Sequence, residues 1–208
     1  LNLSPYIIKD SKNCKNSLTI IQDPSQEGAI TLYRSDNKDG AQFTYSCWIL
    51  IDNLQYQYGK WKHVFHKGNK SSYPNRAPGV WIHPNKNAFR IYMNTFDDIL
   101  DHVDIENIPI KKWISLVLVL NTKYMDVYIN GYLKKRKELT SLPRQNYGNL
   151  WINLFGGFDG YMSKFRYFNY ALDYKAIDKI VKAGPSKDRC SDTGVVPPYL
   201  DDDWWFNR

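Results

Sequence analysis

Met125-Asp126-Val127-Tyr128-Ile129-Asn130-Gly131-Tyr132-Leu133-Lys134-Lys135-Arg136-Lys137 decides the fold class. Apolar Met125, Val127 and Ile129 alternate with Asp126, Tyr128 and Asn130, the period of a strand with one buried face. Asn130-Gly131 follows at once, and both residues tolerate the positive φ of a two-residue hairpin turn. A returning strand over 132–137 completes the hairpin. Its run Lys134-Lys135-Arg136-Lys137 reads as a solvated edge that deters pairing with another sheet, in preference to a nucleic-acid site.

The same period extends outward. Phe89, Ile91 and Met93 alternate with Arg90, Tyr92 and Asn94, while Ile114 to Leu120 are nearly all apolar, as in a central strand covered on both faces. Further strands are expected near 18–21, 29–34, 43–51, 62–67, 79–83, 101–106, 150–154 and 160–169. Loops rich in Asn, Gly, Pro, Ser and Lys separate them, notably 68–79 and 141–149. One helix is expected, with Asp173 as its cap, Leu172 and Ile177 as a hydrophobic staple, and Gly184-Pro185 as its end. Ile177, Ile180 and Val181 share one face of it. These elements predict an all-β fold, a two-sheet antiparallel jelly-roll sandwich with one short C-terminal helix. The sandwich is expected over 1–184, and 185–208 forms an extended Pro- and aromatic-rich tail ending Asp201-Asp202-Asp203-Trp204-Trp205-Phe206.

A chain of 208 residues suits one large domain and can bury a core without staples. Aromatic residues reach 15%, chiefly Tyr and Trp, which pair a flat apolar body with a polar edge and suit sheets, interfaces and sugar-stacking surfaces. The net charge of +7 favours acidic partners, including anionic glycans. Three cysteines exclude a complete disulfide framework. Cys47 reads as a small buried apolar residue, and Cys14 and Cys190 can pair only if the two ends of the chain meet. The longest apolar run, Leu116 to Leu120, is far short of a membrane span. Leu1 rather than Met opens the chain, compatible with removal of a leader, anchor or tag.

Four segments carry a family resemblance. Phe43-Thr44-Tyr45-Ser46-Cys47-Trp48-Ile49 resembles an early strand of the laminin-G-like domains in the concanavalin A-like lectin and glucanase superfamily. Ile108-Pro109-Ile110-Lys111-Lys112-Trp113 is similar to that family's turn before a central strand, and Asp126 to Gly131 to its hairpin. Gly157-Phe158-Asp159-Gly160-Tyr161-Met162-Ser163-Lys164-Phe165-Arg166-Tyr167-Phe168-Asn169 resembles its closing strand. The resemblance covers about 43–184. It implies a twisted two-sheet jelly roll from a family that binds glycans or proteins, often outside the cell, with some branches acting as glycosidases. The Lys-, Asn- and Tyr-rich composition also resembles versions encoded by large DNA viruses. Fold alone does not choose among these functions.

The residues narrow the choice. Retaining glycosidases of this superfamily set three acidic residues at alternate positions of one strand. The nearest counterpart here is His102-Val103-Asp104-Ile105-Glu106, where His replaces the nucleophile and cannot form a glycosyl ester. His63 and His66, three apart in a strand, are expected on opposite faces and not on one metal. Calcium, which the resemblance implies for related domains, would need oxygen ligands in a loop; Asp97, Asp98 and Asp101, with Asp159, are the candidates. For glycan binding the candidates are Tyr56, Tyr58, Tyr73, Arg76, Trp81 and Tyr92, with 69–78 as a binding loop. Asn69-Lys70-Ser71 is a glycosylation acceptor if the chain is secreted. The expectation is a non-enzymatic binding module for carbohydrate or glycoprotein, extracellular or virion-associated. The alternative is a structural subunit of a larger assembly, such as a minor capsid or surface component of a virion, locked in by its tail, and a further alternative is a glycoside hydrolase.

Overall fold

A computed structural model describes residues 1–35 and 38–187. Its strands, in chain order, begin with Tyr6–Ile8 (β1), Lys12–Asn13 (β2), Leu18–Ile20 (β3), Gln42–Asn53 (β4), Lys62–Gly68 (β5), Arg76–Ile82 (β6) and Phe89–Tyr92 (β7). They continue with His102–Ile105 (β8), Trp113–Asn121 (β9), Tyr124–Ile129 (β10), Tyr132–Glu138 (β11), Asn149–Ile152 (β12) and Asp159–Phe168 (β13), and one helix follows, Tyr174–Ala183 (α1). Two antiparallel sheets result. A seven-stranded sheet runs β1-β13-β4-β9-β10-β11, with β2 also on β13, and a six-stranded sheet runs β3-β12-β5-β6-β7-β8.

The alternation read in the sequence sets which face is buried. Met125, Val127 and Ile129 of β10 join the core between the sheets, while Asp126 turns out to a bidentate pair with Arg136 on β11 at 2.8 and 2.9 Å. Asn130 and Gly131 both take positive φ, as the hairpin requires. Strand β11 is the last of its sheet and most of it is exposed, which gives its basic run the position of a solvated edge.

Strand β9 is covered on both faces, as its sequence predicts. Ile114, Leu116, Leu118 and Leu120 enter the main core, whereas Val117 and Val119 enter a second cluster with Phe168, Leu172 and Ile177 beneath α1. Asp173 caps α1 by accepting the Ala176 N–H at 2.8 Å. Cys47 is buried in the main core, where burial pushes its thiol pKa far up.

Two expectations fail. Residues 29–34 form no strand, because the Gln22 side chain takes the role of a ladder partner. Its Oε1 accepts the Leu32 N–H at 2.9 Å and its Nε2 donates to the Ile30 carbonyl at 2.9 Å. The loop expected to run to residue 78 ends at 75, since β6 begins at Arg76 and pairs with Gly68. Cys14 is buried, while Cys190 and the tail from 188 onward, with its expected assembly role, lie outside the described residues. Among the described residues no helix is long and apolar enough to cross a membrane.

Candidate ligand cleft and the aromatic face

The outer face of the six-stranded sheet gathers four of the six expected ligand residues. Strand β5 carries a bulge between His63 and Phe65 as it pairs with β6. The extra residue resets the alternation, so His63 and His66 share a face, contrary to the expectation of opposite faces. Their hydrogen bonds define both tautomers. The Leu154 N–H donates to His63 Nδ1 at 2.9 Å, His63 Nε2 donates to His66 Nδ1 at 2.7 Å, and His66 Nε2 donates to the Asn69 carbonyl at 2.6 Å. Each nitrogen therefore has one role, and both rings are neutral.

Trp81 lies against this pair, stacked on His66 at 5.9 Å and edge-on to His63 at 5.1 Å. Gly79 makes room for it, since a Cβ there would meet the indole at 2.4 Å. The Arg76 guanidinium lies over Trp81 at 5.1 Å and over Tyr92 at 4.3 Å. Tyr73, at the end of the 69–75 loop, is exposed and close enough to bias the Arg76 charge. Trp81 is only 6% exposed, so its faces are already covered and it supports Arg76 and Tyr92 from beneath without presenting an open platform. Tyr56 and Tyr58 stand elsewhere, in the turn after β4. Tyr56 donates to the Gly156 carbonyl at 2.9 Å, and Tyr58 is exposed.

The four acidic calcium candidates are not gathered into one cluster. Asp101 is buried, pairs with Lys137 at 3.3 Å and accepts the Thr140 N–H at 2.8 Å. Asp98 accepts the Leu100 N–H at 2.8 Å, and Asp97 lies exposed beside it with its N–H bonded to Ser141. Asp159 starts β13, in the other sheet, and pairs with Lys15 at 3.5 Å. Among the described residues no three His, Cys, Asp or Glu side chains come together as a metal would require. On β8, Asp104 is held by Arg90 in a bidentate pair at 2.8 and 2.9 Å, which keeps its carboxyl below the usual range. Glu106 lies past the strand end, paired with Lys86 at 3.6 Å.

Sequence reading missed one opening lined by described residues. A cleft of about 490 Å³ enters between the two sheets, within the size range of small-ligand sites. Its floor is the aromatic core, with Phe43 and Tyr45 from β4 and Tyr167 from β13, where Tyr45 and Tyr167 lie 5.0 Å apart. Tyr167 donates to the Tyr33 carbonyl at 2.8 Å and so pins one wall. The other wall carries Lys67, at the end of β5, and the loop Gln145, Asn146 and Tyr147. Tyr147 is 83% exposed, and the Arg34 guanidinium lies 4.1 Å from its ring centre. Lys67 is buried and donates to the carbonyls of Asn146 at 3.0 Å and Gly148 at 2.7 Å. Burial first, then the charge of Arg34, pulls its pKa down to about 8. The cleft thus combines an exposed aromatic ring, amide side chains and two cations around an apolar floor. One signal pointed to it. Lys67 follows Phe65 by two residues, which sets a lysine on the core-facing side of its strand.

The comparisons with known proteins agree with this architecture. The family model described as concanavalin A-like lectin/glucanases superfamily, a laminin-G type, matches residues 24–178. The chain belongs to that superfamily. A comparison with curated proteins finds no match. Among solved structures, the receptor-binding domain of a botulinum neurotoxin of mosaic serotype C/D aligns at a TM-score of 0.63 with 12% identity, covering 87% of this chain and 45% of that one. The botulinum neurotoxin serotype D ligand-binding domain, solved in complex with N-acetylneuraminic acid, aligns at 0.58 with 14% identity, covering 86% of this chain and 51% of that one. The chain therefore spans about half the length of these neighbours, and the likeness is one of fold.

Proposed function

We propose that this lectin-like domain is a non-enzymatic glycan-binding module and that the cleft between the sheets is its site. The observation that carries the reading is the joining of an exposed ring, Tyr147, to an open cleft of about 490 Å³ with amide and cationic walls. Sugars need such a pairing, a flat apolar surface for the ring faces and fixed polar groups for the hydroxyls. A neighbour of the same fold has been solved with a sugar acid bound, which supports carbohydrate as the ligand class. Glycan recognition also fits an extracellular or virion-borne setting, where glycans are displayed.

Hydrolysis finds little support in the cleft. Asp23 is the one acidic residue among its described lining side chains, and its carboxylate already accepts from the Ser25 N–H at 3.0 Å and the Ser25 hydroxyl at 2.7 Å. Glycosidases need two carboxyl groups across the scissile bond.

A glycan array probed with the purified chain, with calcium and with chelator, tests the proposal. Discrete hits are expected under both conditions, and Tyr147→Ala is expected to weaken the best of them by roughly threefold to tenfold, the size of one lost aromatic contact. An array without hits, or hits indifferent to every cleft substitution, would overturn it.

A further inference from the structure

Lys67 and Arg34 give the cleft two cations that no described carboxylate pairs with directly. Lys67 is 7% exposed, and its two bonded acceptors are neutral carbonyls, which leaves one of its three ammonium protons uncommitted by any described residue. Among the described residues neither Lys67 nor Arg34 forms an ion pair with a carboxylate. Asp23, on the same lining, turns its oxygens to Ser25 and Gln26. A buried cation without a counter-ion is costly, and proteins ordinarily pair it or replace it. Here it is kept at the wall of an opening wide enough for a ligand.

The geometry points to a glycan bearing an anionic group, a carboxylate or a sulfate, as the ligand of this cleft. We infer that the anion takes the remaining Lys67 donor, that Arg34 adds a second cation at the rim, and that the sugar ring lies on Tyr147. The placement of Arg34 against the Tyr147 ring ties the charged and stacking parts of the site together. Uronic or sialic acids and sulfated sugars share the chemistry required. The inference rests on the glycan-binding reading and sharpens it.

An array carrying neutral, sialylated, uronic and sulfated glycans on common cores separates the possibilities. Hits confined to acidic glycans are expected, and the class of hit tells carboxylate from sulfate. Calorimetric titration of the best hit at neutral pH should show Lys67→Met weakening binding roughly tenfold to a hundredfold, as for a lost hydrogen bond to a charged group. Arg34→Gln, at an exposed position, should weaken it severalfold and keep the wild-type melting temperature. That second variant carries the test should Lys67→Met fail to fold. Neutral and acidic glycans bound equally well, or acidic glycans bound undiminished by both variants, would overturn the inference while leaving glycan binding in place. An array with no hit at all would remove both.

Discussion

The relay from Leu154 through His63 and His66 to Asn69 works only with both imidazoles neutral. Protonating His63 would set a second N–H against that of Leu154, and protonating His66 would set one against His63. Burial holds both pKa values below the usual range, that of His66 at about 4 despite the opposing pull of the Asn69 carbonyl. The unfolded chain therefore takes up these protons first as the pH falls. The stability is fully present above about 6.5 and drains away toward pH 4, by ~3 kcal/mol for His66 alone. The melting temperature should drop between pH 7 and pH 5, and less steeply in His66→Gln; equal slopes would sink the relay as the cause. Much of this face was legible in the sequence, since Arg76, Trp81 and Tyr92 stood out as candidates and do meet. The histidine pair was not, because a bulge adds a residue that no local pattern announces.

Helix α1 shows a capping signal, a periodic face and a packing site in agreement. Asp173 caps it, and Ile177 is fully buried against Val117, Val119 and Phe168 of the sheet beneath. Asp173→Ala should cost about 1 kcal/mol and Ile177→Ala about 2–4 kcal/mol in urea unfolding, whereas exposed Lys179→Ala should stay within ~0.5 kcal/mol. A small effect at Ile177 would mean that the helix does not seal that face. Strand β9 was readable for a related reason. A run apolar at every position has only one stable place, between two covered faces, and the helix supplies the second cover. Segment 29–34 misled because its composition suits a strand, while the Ile30 carbonyl and the Leu32 N–H are taken up by one glutamine side chain, that of Gln22.

The main core joins both sheets. Phe65, Val80, Phe89 and Ile152 from one sheet share it with Tyr45, Leu118, Val127 and Phe165 from the other. Phe65 and Phe165 bring their ring centres to 4.7 Å across that interface. Neither sheet can lose its partner without exposing this face, so calorimetry should record one cooperative transition with equal calorimetric and van't Hoff enthalpies. Two resolved transitions would show the sheets melting apart. The sequence by itself determined the strand periods, the hairpin, the helix with its cap and the superfamily, because these rest on alternation, turn chemistry and short motifs that neighbouring residues settle among themselves. Only the tertiary structure decided the cleft. Lys67, Arg34, Tyr147 and Tyr167 are far apart in the chain, and they line one opening because two sheets close on a shared core and leave their loops facing each other at one end.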